Sequence, residues 1–250
     1  MKKLWILIAA ILVLSACTGS SEPQIVTASG DITVAVEQYR ALLGENNGGD
    51  PGTKGSTGYR EINWDTIPDD LSAPNFYISD FFNQPAAPRA RGIVLNTPGE
   101  GLMVSANASN PDGVLPRFGN INPQYAEIFK TFSEEKLFSP IGSNLVTITF
   151  FVPGSNTPAT VRGFGAVYTD VDTAHTAFEY FDKDGVSIGS FETPIADNGL
   201  SFLGVVLDEA IVASVEVRYG TGALGPDDGA GDVDVAVMDN FIFGEPQTIK

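Results

Sequence analysis

The sequence predicts an all-β protein, a two-sheet antiparallel β-sandwich with one short N-terminal helix. Three observations carry that prediction. First, Val161–Phe243 reads as strand after strand, and its run Ile211–Tyr219 alternates with Ile211, Ala213, Val215, Val217 and Tyr219 on one face and Ser214, Glu216 and Arg218 on the other. That is the period of a half-buried strand. Second, Phe178–Gly189 encloses Asp182-Lys183-Asp184-Gly185, residues that tolerate left-handed backbone and reverse a hairpin. Third, 27 Gly and 16 Pro with 18% charged residues favour turn-rich β structure over helical bundles, and 250 residues suit one large β domain.

The chain opens with Lys2 and Lys3 ahead of the apolar run Leu4–Leu14, the pattern of an export signal and too short for a comfortable membrane span. It closes on Leu14-Ser15-Ala16-Cys17, which resembles the lipobox of bacterial lipoproteins, where cleavage precedes a Cys that carries a diacylglycerol. The resemblance implies a signal peptide over residues 1–16, lipidation of Cys17, and a membrane partner reached through that lipid at the bacterial envelope. Ser, Thr and Gly directly after Cys17, with no Asp next to it, resemble the signal for outer-membrane sorting in Gram-negative cells; a Gram-positive source would place the protein on the outer face of its plasma membrane. Cys17 is the only cysteine, so no intrachain disulfide forms. Cleavage removes two lysines and no acid, which takes the formal charge from −17 to −19. A surface this acidic repels nucleic acid and suits cations or a basic partner.

Residues 17–58 read as a tether, a helix and a linker. Thr18–Pro23 is small and polar. Ile32, Val36, Tyr39 and Leu43 recur at helical spacing between Asp31 as cap and Gly44 as stop, so Asp31–Leu43 is expected as an amphipathic helix peripheral to the sandwich. Glu45–Gly58, dense in Gly, Asn and Pro, is expected as a flexible linker. The sandwich then spans residues 59–245, with 246–250 as a tail. Tyr59–Asp65 is its first strand and Pro68–Pro88 is irregular. Arg91–Asn96 and Gly101–Ala106 are expected to form a hairpin across Thr97–Glu100. Asn107–Gly142 is a turn-rich, aromatic-rich ordered loop. Asn144–Val152 is apolar on both faces, as an inner strand covered on two sides would be. Val152–Pro158 is a turn, Ser201–Leu207 a strand, and Gly220–Asp232 an acidic loop.

The order of Arg60–Asp65, Arg162–Asp172, Phe181–Gly185, Ser201–Val205 and Val237–Phe241 resembles a group of uncharacterised exported bacterial proteins, some of them anchored by PEP-CTERM sorting tails. More loosely it is similar to jelly-roll modules of the galactose-binding type. The resemblance implies a jelly-roll sandwich and export, and it brings no catalytic residue with it. The chain ends Gly244–Lys250 without a PEP-CTERM tail, so the lipid at Cys17 is expected to be the anchor.

The candidate chemistry is sparse. The one histidine, His175, lies in a turn with no nucleophile elbow, and one His with one acylated Cys offers no zinc-ligand spacing. Glu179-Tyr180-Phe181-Asp182 belongs to the hairpin and does not reproduce a glycosidase carboxylate pair. Calcium suits the abundance of oxygen ligands. Asp182, Asp184 and Gly185 resemble an EF-hand start, but Thr193 stands where the bidentate acid is needed. Asp239 falls in phase with Val233, Val235, Val237, Phe241 and Phe243, so it is either buried and compensated, by a structural calcium shared with Glu61 or Asp65 or by a hydrogen-bonded network, or turned outward by a bulge. Exposed aromatics would make a sugar platform, with Trp64, Tyr77 and Tyr125 as first candidates beside Tyr59, Tyr168 and Tyr219, while for any single ring core packing is the commoner role. The resulting expectation is a non-catalytic, surface-anchored module that binds an extracellular glycan. The alternatives are a structural lipoprotein that binds another envelope protein, and a jelly-roll glycoside hydrolase.

Overall fold

The computed structural model describes residues 22–226 and 233–249. Cys17, the export signal and much of the acidic Gly220–Asp232 loop lie outside the described residues. In chain order the elements begin with β1 (Gln24–Ser29), α1 (Thr33–Leu43), β2 (Tyr59–Ile62), β3 (Ile93–Asn96) and β4 (Gly101–Val104). Then come α2 (Tyr125–Ile128), β5 (Phe138–Ile141), β6 (Leu145–Phe150), β7 (Ala159–Thr160) and β8 (Gly163–Val171). The remainder are β9 (Ala177–Phe181), β10 (Ser187–Glu192), β11 (Ala196–Val206), β12 (Ser214–Arg218), β13 (Val237–Gly244) and β14 (Gln247–Thr248).

Two antiparallel sheets form the predicted sandwich. The larger has seven strands in the order β1-β11-β8-β13-β5-β4, with β2 also on β13, and the smaller has five in the order β10-β9-β12-β6-β3. The chain passes repeatedly from one sheet to the other, as a jelly roll does. Inward residues of both sheets meet in one core: Val146, Ile148, Phe150, Val215 and Val217 face Phe164, Tyr168, Leu203, Met238, Phe241 and Phe243. The β9–β10 hairpin turns as expected, with Gly185 at φ 76° and the Asp182 carboxylate accepting from the Asp184 and Val186 N–H groups.

Several expectations are corrected. The supposed hairpin of Arg91–Asn96 and Gly101–Ala106 is a crossover, because β3 pairs β6 in one sheet while β4 pairs β5 in the other. Ile93 and Leu95 then face Leu102 and Val104 through a shared core, which side-by-side pairing would forbid. The strand at Ile211–Tyr219 loses phase at its start: Val212 bridges Val161 and is buried, leaving Ile211 exposed. On β6 only Val146, Ile148 and Phe150 are buried, and the opposite face is half-open. Between the tether and the helix, where the sequence reading placed no element, β1 pairs β11 from Gln24↔Val206 to Ser29↔Ser201.

The helix is integral to the fold. Tyr39 of α1 is fully buried against the outer face of the large sheet, where Gly165 and Gly204 stand opposite each other on β8 and β11. A Cβ at Gly204 would lie 2.5 Å from the Tyr39 ring and one at Gly165 2.9 Å, so the paired glycines form the notch that admits the ring. Val26, Val36, Leu43, Val167, Phe202 and Ile242 complete this outer layer. In a second outer layer Phe118, Tyr125 and Phe129 of the aromatic loop pack on Val237 of β13. That loop is ordered, as the sequence reading expects.

The Gly-rich segment Glu45–Gly58 is a docked collar. Arg60, fully buried, sends Nε and Nη2 to the two Glu245 carboxylate oxygens at 2.8 and 2.9 Å. Its remaining donors reach the carbonyls of Asp50 at 2.9 Å, Gly52 at 2.9 Å and Ala90 at 2.6 Å. Glu245 also accepts from Asn47 Nδ2 and the Lys54 N–H. A segment whose one apolar side chain is Pro51 is thus ordered chiefly by charge-assisted hydrogen bonds.

Candidate functional site

The site arises where β13 changes partner. Its first part meets β5 at Met238↔Phe138, and its last part pairs β2 from Phe241↔Ile62 to Gly244↔Tyr59. Between them the register against β8 shifts between Met238 and Phe241, which places a bulge at Asp239-Asn240. The even alternation expected from Val233 to Phe243 is therefore broken: Val235 and Val237 belong to the outer layer, Phe241 and Phe243 to the inter-sheet core.

The bulge is present but does not turn Asp239 outward: the side chain is fully buried in a polar network, as the first alternative requires. Its Oδ2 accepts from the Phe132 N–H at 2.7 Å and the Ser133 N–H at 3.2 Å, and its Oδ1 lies 2.8 Å from Ser133 Oγ. Ser133 Oγ is also 2.9 Å from Asp65 Oδ2, while Asp65 Oδ1 accepts from the Glu135 and Lys136 N–H groups. Burial pushes the Asp239 carboxyl up to about 6 against the pull of the Ser133 and Phe132 donors, and the nearby Asp65 charge adds to the rise. The serine has one hydrogen for two carboxylates, so a proton on Asp239 lets that residue donate to Ser133 while Ser133 donates to Asp65. The structure brings Asp239 and Asp65 together as expected, with protein donors around both. Glu61 goes elsewhere: it accepts from Arg40 Nε at 3.2 Å, Arg40 Nη2, and Asn240 Nδ2 at 2.7 Å.

Glu61 forms one wall of a cavity of about 410 Å³ between α1, the bulge and the Phe132–Ser133 segment. Its lining is polar: guanidiniums of Arg40 and Arg91, carboxamides of Asn46, Asn63 and Asn240, and hydroxyls of Thr66 and Ser133, with Phe132 as the apolar element. Strand alternation explains the position of Glu61. Arg60 and Ile62 point into the sandwich, so Glu61 points out, beside Ile242 and under the helix. Because Asn240 donates its Nδ2 to a carboxylate, its amide orientation is fixed, and the buried Oδ1 has no partner among the described residues. Asn63 is fixed as well: its Oδ1 accepts from the Asp65 N–H at 2.8 Å, leaving the NH2 group to donate.

The two arginines differ. Arg40 is ion-paired with Glu37 and Glu61; burial lowers its affinity for the proton, and those two carboxylates more than restore it. Arg91 donates Nη1 to the Glu61 carbonyl and lies 5.7 Å from the Phe82 ring centre, but among the described residues it has no ion-pair partner, and its buried Nε–H is unbonded. Burial and the neighbouring Arg60 charge hold it below the usual guanidinium range, with Glu61 opposing.

The expected aromatic platform is corrected. Trp64 is fully buried at the centre of a ring cluster, stacked 4.4 Å from Phe138, with Tyr77, Phe82 and Phe241 set edge-on, and its Nε1 donates to the Asp239 carbonyl at 2.7 Å. Tyr77 belongs to the same cluster, and Tyr125 is buried against Phe129 with its hydroxyl on the Gly225 carbonyl. Tyr168 and Tyr219 are buried too, and Tyr59 is half-buried. Rings this enclosed have no free face for a sugar. His175 is exposed in its turn. The sequence reading missed Arg40, Arg91, Asn63 and Asn240, which lie on separate elements with no shared spacing to betray them.

Asp170, Asp172 and Asp197 form a separate acidic group in which one carboxylate oxygen of each lies within 4.8 Å of the others, a set of hard oxygens able to hold a metal ion. Asp170 has φ 64° and accepts from the Asn198 N–H at 2.8 Å. Among the described residues no helix is long and apolar enough to cross a membrane.

No protein-family model matches the chain, and no curated protein matches it. Among solved structures, the crystal structure of the enzymatically active domain of tailspike protein 4 from bacteriophage CBA120 is similar over 66% of this chain at 11% identity, with a TM-score of 0.29; the match takes in 20% of the tailspike chain.

Proposed function

We propose that this protein is a non-catalytic binding module, held at a bacterial envelope surface by lipid on Cys17, and that it takes an extracellular glycan in the cavity beside the β13 bulge. The observation that supports this reading is the cavity's lining of amides, hydroxyls and guanidiniums, in which the Asn63 NH2 group and the Arg91 cation are left to meet a ligand. Sugar hydroxyls act as both donors and acceptors, and a few hundred Å³ is the size of a small-ligand pocket. Glu61 is the one carboxylate in the lining and is engaged by Arg40 and Asn240, which suits binding better than the paired acids of glycoside hydrolysis. Glycan-array binding by the purified full chain, with an assay for released sugar, tests the reading. Binding without release supports it, release replaces it with the hydrolase, and no glycan bound while an envelope protein is captured replaces it with protein recognition. Anchoring is tested by Cys17→Ser, which should move the protein out of the membrane fraction. Calcium, in this reading, is structural and belongs to Asp170, Asp172 and Asp197.

A further inference from the structure

We infer that the glycan recognised in this cavity is acidic, and that its carboxylate, as in a uronic acid residue, docks on Arg91. This rests on the glycan reading above and narrows it to a ligand class. Arg91 is a half-buried cation in the lining, without an ion-pair partner among the described residues and with an unbonded Nε–H. A cation partly withdrawn from water without an ion-pair partner carries a desolvation cost, which Glu61 offsets only in part and a bound anion would offset further. Arg40, by contrast, is already neutralised by Glu37 and Glu61.

The charge balance sets the kind of anion. Glu37 and Glu61 together offset Arg40, so the charge left for an anion in this cavity is that of Arg91, on a chain whose formal charge is −17. A monoanion neutralises it. A phosphate monoester, carrying close to two charges, would be left facing Glu61 and the acidic surface. The planar guanidinium fork also matches a planar carboxylate. Around it, Asn63 offers its amide donors to ring hydroxyls.

The test is calorimetric titration of the full-length protein with an oligogalacturonate, the matched neutral galactan oligosaccharide and a sugar phosphate. The uronate should bind at least about tenfold more tightly than the neutral sugar, and added salt should erode that preference. Arg91→Gln should shrink the preference to about twofold. Arg89→Gln, an exposed guanidinium 4.2 Å from the Phe81 ring centre and outside the cavity lining, should keep it. Equal binding of uronate and neutral sugar overturns the carboxylate assignment and leaves the glycan reading standing. Tighter binding of the sugar phosphate overturns it in favour of a phosphorylated ligand. A preference that survives in Arg91→Gln overturns the role of Arg91, and a preference lost in Arg89→Gln overturns the location. Absence of binding to every glycan overturns both readings. The salt dependence is read on the unaltered protein, so the inference stays testable even where a variant folds poorly.

Discussion

Arg60 and Arg91 are near neighbours with opposite fates. Each donates to a carbonyl of the other's segment, Arg60 to Ala90 and Arg91 to Glu61. Arg60 then closes on itself, with a bidentate carboxylate and backbone carbonyls accepting its remaining donors at zero exposure. Arg91 stays open, lining a cavity with a donor unmet and no counter-ion among the described residues. Burial alone therefore does not tell a structural charge from a binding one. The completeness of its hydrogen bonding does, because a saturated guanidinium has nothing left to offer a ligand.

The largest effect should come from breaking the closed centre. Arg60→Met leaves Glu245 buried without its partner, and denaturant unfolding should show a loss of about 3–5 kcal/mol, where Arg91→Gln loses less than about 1 kcal/mol. Equal losses would erase the distinction between the two sites. Next in size is Asp239→Ala, which strips the acceptor from the Phe132 and Ser133 donors and should cost about 3 kcal/mol. Asp239→Asn, which keeps an oxygen for the two backbone N–H groups, should cost less, and ligand affinity should fall with Asp239→Ala because Phe132 and Ser133 wall the cavity.

A third, smaller effect is the pH dependence of this network. The Asp239 carboxyl is raised to about 6 in the folded protein from 3.8 unfolded, so the folded state binds the proton more tightly. Its contribution to stability is fully present below pH 3.8 and is lost as pH rises through about 6. Melting curves of the wild type compared with Asp239→Asn should differ in slope over that window, and parallel slopes would contradict the assignment. The smallest effect is expected at Asp170, Asp172 and Asp197. Millimolar calcium should raise the melting temperature by a few degrees, roughly the scale of weak-site linkage, and Asp197→Asn should abolish the rise. Curves that superimpose with and without chelator would remove the cation.

Where local pattern carried the information, the sequence was sufficient. The succession of strands along Val161–Phe243, the Asp182–Gly185 turn and the helical spacing of Val36, Tyr39 and Leu43 appear where they were read, with the phase broken at Ile211 and at the Asp239-Asn240 bulge. These features depend on each residue's neighbours along the chain, which is what periodicity reports. It also placed Asp239 among residues too apolar for an isolated carboxylate, and so identified the centre of the network before its partners were known.

What tertiary structure alone decided was pairing between distant residues. Tyr39 gives no sign by itself that Gly165 and Gly204 will form its notch, nor does Gly-rich Glu45–Gly58 that a guanidinium will bind its carbonyls. Trp64 and Tyr77 suit an open platform or, more commonly, a core, because an aromatic ring fits either and only the surrounding rings choose. The cavity itself follows from β13 trading β5 for β2 at Asp239-Asn240. That exchange brings Arg40, Glu61, Arg91 and Asn240 together from four segments, and a one-dimensional pattern cannot encode it, since each residue's role is set by contacts made far away in the chain.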